Sequence, residues 1–398
     1  YNIYSIKIFN TLFPIQVKKS ILLIVICHNC HTVTFSFLSN LQRATHPVLL
    51  ESLYVSVFQT VKYFVDCRCP EMMLVLLVIR QLLSIFGMAM ETRTLYNDFP
   101  TFLKRFFPGK VQKISLNAGF TCPNRDGTVG YGGCTYCNNQ TFNPEYCRTE
   151  KTVAVQLEEG KRFFAHKYPE MKYLAYFQAY TNTYGELEAL KHKYEEALAV
   201  DDVVGLVIGT RPDCMPDALL DYLETLAKGT FVLVEYGIES TLDRTLRRIN
   251  RGHTWQAAVD AVERTAARGL PVGGHVILGL PGESREDMLG QAADISRLPL
   301  DTLKLHQLQL IRGTRMAREY EERPEDFHLF DDVDEYIALV VDYIQRLRPD
   351  LVLERFVSQS PKELLIAPDW GLKNYEFNHR LQKRMKELDA WQGKLYNQ

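Results

Sequence analysis

Short apolar runs recur along the chain from Val111 onward, and polar or amphipathic stretches separate them. Each run has the length and the β-branched or aromatic content of a strand. The predicted strands are Val111–Asn117, Tyr173–Phe177, Val203–Ile208, Phe231–Tyr236, Val272–Leu278 and Thr302–Leu310. The run at 203–208, VVGLVI, is apolar throughout, as expected of a strand that is covered on both faces.

Helical periodicity fills the intervals between these runs, with proline, serine and glycine at the ends. The predicted helices are Thr152–Tyr168, Pro216–Leu226, Glu186–Leu198, Leu242–Ile249, Thr254–Arg268, Ser284–Arg297 and Asp332–Arg346. Short polar or glycine-containing segments follow the strands, among them GTRPDC, GIES and GLPGES. This alternation predicts an α/β fold, a partial (β/α)6 TIM-like barrel that is open on one side. Chemistry in such barrels lies at the carboxyl ends of the strands.

Composition adds little to this picture. The 398 residues are 46% hydrophobic and 24% charged, as in ordinary globular proteins. The net charge of −2 neither favours nor excludes a nucleic-acid partner, because a local basic patch is sufficient for binding. Nine cysteines in a chain of this length are too few for a disulfide scaffold.

Residues 1–90 differ from the rest, since they are apolar without a clear period. We expect an upstream extension that is not native or is unstructured, with the native start at Met88 or Met90. The alternative is a membrane anchor. The stretch Met72–Met90 is long enough to span a bilayer, but Arg80 lies near its centre, where a charge is costly. We therefore expect no membrane association. The barrel is expected to cover residues 91–349, and residues 350–398 to form a C-terminal α/β extension that closes its open side.

The pentapeptide Cys27-His28-Asn29-Cys30-His31 formally matches the attachment motif of c-type haem. A short pattern with three fixed positions often occurs by chance. Haem also needs a pocket and usually a second axial ligand. We interpret this match, together with Cys67 and Cys69, as incidental.

The stretch from Gly119 to Phe142 carries three cysteines, Cys122, Cys134 and Cys137, separated by eleven and by two residues. Three thiolates can bind three irons of a cubane cluster and leave the fourth iron open. A structural zinc ion would want a fourth ligand at fixed spacing, and none follows nearby. The alternative is a glycine-rich turn with incidental thiols. A clustered triplet of this kind favours a reducing compartment, which predicts a cytoplasmic protein.

The words TCPNRDGT and GGCTYC in this stretch resemble the radical S-adenosylmethionine (SAM) superfamily, and within it the YhcC-type family, which is related to the elongator-like radical SAM domain. The resemblance extends from about Glu91 to about Lys394. It implies a partial barrel, a 4Fe–4S cluster on the three cysteines and SAM bound to the open iron. Such enzymes cleave SAM reductively to a 5′-deoxyadenosyl radical that abstracts hydrogen from a substrate. The electron would come from a flavodoxin- or ferredoxin-type donor.

The resemblance also implies roles for residues that follow successive strands. The Tyr136 backbone and Ile277 are expected against the adenine of SAM, and His275 at its ribose. Gln178 is expected near the amino group of SAM, although the usual glycine-rich word is absent there. Arg251 is expected at its carboxylate. The alternatives are a solvated Arg251 and a structural His275 in the core.

Further candidates end the third and fourth strands. Glu239 and Ser240, in the word GIES, resemble a strand end that contacts SAM, although Glu239 is also suited to capping a helix. Thr210 and Arg211 are expected at the cofactor, and an arginine fork suits a carboxylate or phosphate. The alternative for Arg211 is an ion pair with Asp213. Cys214 is a candidate hydrogen-atom donor or a buried structural thiol, and Cys147 is interpreted as incidental. Tyr176, Tyr180 and Tyr184 are candidates for the substrate mouth or for packing.

The substrate is left open between classes. The segment 373–394 carries six basic and three acidic residues, with Tyr375 and Trp391. A basic helix with aromatic side chains suits RNA, but a solvated face is the alternative. With the elongator-like kinship, this favours tRNA as a candidate substrate. The alternatives are a small metabolite, or a non-catalytic iron–sulfur or zinc-binding sensor or scaffold.

Overall fold

The structure, a computed structural model, describes residues 20–27, 32–39, 94–165 and 170–396. The chain divides into two compact units between Thr92 and Arg93. In the first unit, strands β1 (Ser20–Cys27) and β2 (Thr32–Ser39) pair antiparallel. The other predictions for this unit concern His28–His31, Cys67, Cys69 and Met72–Met90, which lie outside the described residues. The assignment of residues 1–90 to an upstream extension stays a prediction.

The second unit is built on a sheet of seven parallel strands that form a curled half-barrel. The strands are β3 (Val111–Leu116), β4 (Lys172–Phe177), β5 (Val203–Thr210), β6 (Phe231–Glu239), β7 (Val272–Leu278), β8 (Thr302–Gln307) and β10 (Val352–Arg355). Their order in space, from β10 through β8, β7, β6, β5 and β4 to β3, follows the order in the chain. A separate antiparallel pair joins β9 (Leu310–Ile311) to β11 (Leu365–Ala367).

Helices connect most of the strands, and most of these helices cover the outer face of the sheet. They are α1 (Phe99–Leu103), α2 (Val153–Ala165), α3 (Leu187–Leu198), α4 (Asp217–Leu226), α5 (Asp243–Arg248), α6 (Trp255–Ala267), α7 (Arg285–Arg297), α8 (Arg315–Glu322), α9 (Val333–Arg346) and α10 (Asn374–Glu387). Local sequence explains several of their ends. Ser284 caps α7 and forms a capping box with Asp287. Among the described residues, none of these helices has the length and apolar character that a membrane crossing requires.

Alternation along each strand divides the core into two parts. Ile114 and Leu116 face outward and join the large cluster packed under the helices. Leu174 and Leu233 belong instead to a smaller cluster with Phe99 and other residues of α1. This cluster fills the amino end of the half-barrel. Polar side chains of the same strands therefore lie above an apolar floor, toward the carboxyl ends.

The predicted fold class is confirmed, and all six predicted strands are present. Three details differ from the expectation. Strand β6 continues to Glu239, so the GIES word is partly in the sheet. The last predicted strand ends at Gln307, and Leu310–Ile311 pairs elsewhere. A seventh strand, β10, adds to the edge beside β8. Its sequence, VLER, is short and half charged, so its apolar pattern is too weak to predict a strand.

Candidate cluster and cofactor site

The three cysteines lie in a loop that backbone hydrogen bonds fold onto the carboxyl ends of the strands. Cys122 and Cys134 are buried, and Cys137 is half-buried. The amide of Cys137 donates to the Cys134 carbonyl at 3.0 Å, and the amide of Gly133 donates to the Asn124 carbonyl at 2.8 Å. All three cysteines line one cavity of about 210 Å³. The loop therefore presents its thiols to the interior of the half-barrel.

Polar hydrogens point at two of these sulfurs. Cys134 Sγ lies 3.5 Å from Arg251 Nη1 and 3.8 Å from Asn124 Nδ2. Cys137 Sγ lies 3.6 Å from Asn139 Nδ2. Donors around sulfur ligands stabilise thiolate charge and tune a bound cluster. Burial, with Cys134 close by, raises the pKa of Cys137 to about 11, so metal binding there must displace a proton.

The arrangement of the three thiols suits a cluster better than a single metal ion. In the described part of the chain, no three His, Cys, Asp or Glu side chains are grouped as ligands of a single metal ion. A cubane cluster makes a different demand, since each thiolate binds its own iron and the ligands surround the cluster. Three thiols that line one cavity fit that demand.

Arg251 is the centre of the polar contacts in the cavity. Its Nη2 donates to the Gly237 carbonyl at 2.6 Å, and its Nε donates to His253 Nε2 at 2.9 Å. Glu239 Oε1 lies 3.5 Å from Nη2. Burial alone would lower the pKa of Arg251, but the nearby Tyr136, Cys134 and Glu239 raise it well above its usual value. Arg251 is thus a buried cation, and the solvated alternative does not apply.

The backbone at Gly237 and Glu239 is shaped for this contact. A Cβ at Gly237 would lie 2.5 Å from Glu239 Oε1 and 2.6 Å from Arg251 Nη2. Glu239 has a φ of 70°, a left-handed conformation that is costly for a residue with a side chain. Helix α5 begins after Leu242, so Glu239 does not act as its cap. The strand end instead delivers the Glu239 carboxylate to the cavity.

Most of the candidate residues lie at one place. The cavity is lined by Tyr136, Gln178, Thr210, Arg211, Glu239, Arg251, His275 and Ile277, together with the three cysteines. Arg211 uses its donors internally, since Nε and Nη2 bind Asp213 at 2.9 and 2.8 Å and Nη1 binds the Arg251 carbonyl at 2.7 Å. Thr210 Oγ1 lies 2.6 Å from Thr183 Oγ1.

Ser240 and Cys214 do not line the cavity. The hydroxyl of Ser240 is fully buried and donates to Glu283 at 2.5 Å, which ties the GIES turn to the start of α7. Cys214 is buried on the turn after β5, with its sulfur 3.8 Å from Asp213 Oδ1. Burial and the Asp213 carboxylate raise the pKa of Cys214 to about 12, so it is a protonated thiol. These contacts give both residues structural environments.

Two family models match the part of the chain that forms this site. The family model for the radical SAM superfamily matches residues 120–292, and the model for the Radical_SAM C-terminal domain matches residues 300–387. The protein YtqA of Bacillus subtilis is 37% identical over 306 residues, which are 77% of this chain and 94% of YtqA. Protein YhcC of Escherichia coli is 38% identical over 283 residues, 71% of this chain and 89% of YhcC. The chain belongs to the radical SAM superfamily.

The half-barrel fold is also found in a solved structure. The archaeal Methanocaldococcus infernus Elp3 has a TM-score of 0.52 at 17% identity, and the match covers 71% of this chain and 64% of the Elp3 chain. This likeness concerns the fold. The resemblance to the YhcC-type family that the cysteine words indicated is thus confirmed, and the chain is a radical SAM enzyme. The loop from Cys122 to Cys137 lies at the start of the matched superfamily region.

A charged layer that the sequence pattern did not predict lies inside this radical SAM barrel. Lys113 Nζ binds Glu235 at 2.7 Å and Glu354 at 2.6 Å. Lys304 Nζ binds the same two carboxylates at 2.6 and 3.2 Å. His275, which the resemblance assigned to the ribose of SAM, has its Nε2 3.0 Å from Glu235 Oε2. The available signal was a charged residue in the middle of an otherwise apolar run, such as Glu235 in FVLVEYG.

The surroundings of Glu235 in this layer favour its ionised form. Burial alone would raise its pKa, but Lys113, Lys304 and His275 outweigh burial and hold the pKa well below the usual value. The hydroxyl of Tyr176 accepts from Lys304 at 3.1 Å, so Tyr176 lies at the upper edge of the layer and lines the cavity. Tyr180 also lines the cavity, whereas the hydroxyl of Tyr184 lies 2.8 Å from Thr128 Oγ1 on the exposed loop.

Proposed function

We propose that Cys122, Cys134 and Cys137 hold a 4Fe–4S cluster, that SAM binds in the adjoining cavity, and that the substrate is tRNA. When bound, the two groups supply an electron and a 5′-deoxyadenosyl radical that abstracts hydrogen from the substrate. The observation that carries this proposal is the meeting of three thiols with Arg251 and Glu239 in one cavity at the carboxyl ends of parallel strands.

The protein's own residues have distinct tasks in this scheme. Arg251 stays charged beside Cys134 and is suited to the carboxylate of SAM. Glu239 offers an acceptor to its amino group, and the half-buried Gln178 is placed on the next wall of the cavity. Ile277 gives an apolar surface for the adenine, beside the Tyr136 backbone. The apolar floor below the charged layer limits access of water from the amino end.

The case for tRNA rests on helix α10. Phe377, Leu381 and Met385 are buried at a spacing of four residues and fix its inner face. Basic residues cover the exposed face. Lys383 and Arg384 pair with Glu387, but Arg380 and Lys386 form no ion pair within the part of the chain that the structure describes. Unpaired exposed cations are available for phosphates.

A salt titration of tRNA binding tests this surface. Replacing Arg380 and Lys386 with Ala should weaken binding and lower the slope of log K against log salt by about 0.7–0.9 for each phosphate that the variant no longer neutralises. The matched control replaces Lys104 and Lys228, two exposed lysines near the amino ends of the strands, and removes the same charge. Equal slopes for the wild type and both variants would contradict a role of α10 in RNA binding.

A small metabolite is the second candidate substrate, and the polar inner wall of the cavity favours it. Lys304 and His306 line the cavity and suit a compact polar molecule. Comparing modified nucleosides in total tRNA with and without the gene separates the candidates. A missing nucleoside supports tRNA, and an unchanged set favours the metabolite.

We also propose a cytoplasmic enzyme that is reduced by a flavodoxin- or ferredoxin-type donor. All five cysteines of the described second unit are free thiols. Free thiols and an oxygen-sensitive cluster are suited to a reducing compartment. Reduction of the reconstituted enzyme by either donor, followed optically, tests the donor class.

A further inference from the structure

The charged layer inside the barrel is electrically balanced without Arg355, the last residue of β10. Two ammonium groups, on Lys113 and Lys304, face two carboxylates, on Glu235 and Glu354, at 2.6 to 3.2 Å. Each cation contacts both anions. The layer therefore needs no further positive charge.

Strand β10 nevertheless brings one more cation inward. Leu353 pairs with Leu303, but the next pair joins Arg355 to Lys304, so Glu354 is an extra residue in the strand. Such an irregularity changes the direction of the side chains that follow and is common beside active sites. Without it, alternation would turn Arg355 toward the helices. Glu354 faces the charged layer as alternation predicts, and the irregularity turns Arg355 inward as well, so that it lines the cavity.

The charge of Arg355 is unpaired within the described residues of the second unit. Its half-buried side chain makes no hydrogen bond or ion pair with any residue whose position the structure gives. A partly buried guanidinium without partners is unfavourable, and a ligand that supplies an anion offsets that cost. The position thus differs from Arg211, whose fork already binds the Asp213 carboxylate.

The neighbours of Arg355 add neutral hydrogen-bonding groups without adding negative charge. His306 lines the same wall, with its Nδ1 2.6 Å from Ser358 Oγ. Burial lowers the pKa of His306 well below its usual value, and the neighbouring cations Arg355 and Lys304 act in the same direction. His306 is accordingly neutral. Ser358 also lines the cavity, so this wall combines the Arg355 guanidinium with a neutral imidazole and a hydroxyl.

We propose that Arg355 binds an anionic group of the substrate, a carboxylate or a phosphate, inside the barrel. The planar guanidinium fork matches two oxygens of either group. The inference rests on the proposed function in one respect, namely that the substrate enters the cavity where SAM binds. It restricts the substrate to molecules with an anionic group near the reacting carbon, whether that group belongs to a nucleotide or to a small acid.

Anion binding to the full chain, carrying its reconstituted cluster and saturated with SAM, tests the proposal. Inorganic phosphate and acetate are the probes, measured by calorimetry under anaerobic conditions. We expect Arg355→Gln to lower the affinity for the preferred probe about tenfold or more, since hydrogen bonds between two charged groups are stronger than neutral ones. The affinity of Arg355→Lys should lie between those of the wild type and Arg355→Gln, because lysine keeps the charge and loses the fork. Arg318→Gln, an exposed arginine on α8, should bind as the wild type does. The probe that binds more tightly identifies the anion.

A second measurement uses only the wild type and so does not depend on a variant folding. Phenylglyoxal should modify Arg355, mapped by mass spectrometry of its peptide, and the preferred probe should slow this modification. Protection by SAM alone, with none from either probe, would assign Arg355 to the cofactor and overturn the proposal. Equal affinity of wild type and Arg355→Gln for both probes, or no binding to the wild type, would also overturn it. Iron content and SAM affinity test the proposed function separately, so its failure can be distinguished from a failure of the Arg355 proposal.

Discussion

The guanidinium of Arg251 lies 3.5 Å from the sulfur of Cys134 and joins the cysteine loop to the end of strand β6. The contact connects a proposed cluster ligand with the wall of the cavity assigned to SAM. The buried guanidinium thereby contacts a thiol on one side and, on the other, the Gly237 carbonyl at the strand end that carries Glu239.

Replacement of Arg251 by Lys should weaken SAM binding about tenfold or more and reduce the iron retained after gel filtration. Lysine keeps the charge but cannot bind Gly237, His253 and Cys134 together. Loss of one hydrogen bond to a charged group is worth about 1.5–3 kcal/mol. The control is Arg247→Lys on the exposed face of α5. Wild-type iron content and SAM affinity in Arg251→Lys would contradict this role.

Replacement of Glu235 by Gln should lower the free energy of unfolding by about 3–5 kcal/mol, as expected when a buried charge loses its partner. Lys113 and Lys304 would each lose one of two carboxylates. Because the folded pKa of Glu235 is depressed, its contribution is complete above the unfolded value of about 4.3 and is lost as the pH falls toward the folded pKa. The difference between wild type and variant should therefore shrink below about pH 4.3.

Denaturant titrations at about pH 7 and about pH 3.5, on either side of the unfolded pKa, check this effect against the exposed control Glu363→Gln. A difference that is small at neutral pH, or that grows on acidification, would show that the layer does not hold an ionised Glu235.

Glycine substitutions test the packing of the central strands. A Cβ at Gly205 on β5 would overlap the carbonyl oxygen of Phe231 on the neighbouring strand, and backbone cannot move aside easily. Gly205→Ala should destabilise the protein by about 1–3 kcal/mol. Gly290 on α7 has open space around it, so Gly290→Ala should be neutral or stabilise by up to about 1 kcal/mol. Thermal unfolding of both variants gives the answer, and equal shifts would argue against the close pairing of β5 and β6.

The sequence predicted those parts of the molecule that depend on local pattern. Strands such as β5 and β7 are largely apolar over their length, and the spacing of Cys122, Cys134 and Cys137 is a local motif. The charged layer was not predicted because its members come from four strands that are far apart in the chain. Regular alternation of side chains along β10 would also turn Arg355 away from the cavity. The irregularity that turns Arg355 inward arises from the pairing of β10 with β8, which the sequence does not show.

Whether a single candidate residue faces the cavity depends on neighbours that the sequence pattern does not reveal. Ser240 and Glu239 are adjacent in GIES, yet one binds Glu283 in the core and the other lines the cavity. The positive φ of Glu239 separates their directions. Arg211 lines the cavity but directs its fork to Asp213, two residues away.

Iron content of single cysteine variants tests the central claim most directly. Cys147 and Cys214 are matched controls, because both are buried thiols whose pKa burial raises to about 12, and Cys147 donates to the Ser115 carbonyl at 2.7 Å, away from the cavity. Cys122→Ala, Cys134→Ala and Cys137→Ala should each lose the cluster almost completely, and combining them should add little, since the three act as a unit. Cys147→Ala and Cys214→Ala should keep wild-type iron. Loss of iron from Cys214→Ala as complete as from Cys122→Ala would contradict a three-thiolate cluster with an open iron and indicate a closed four-thiolate site.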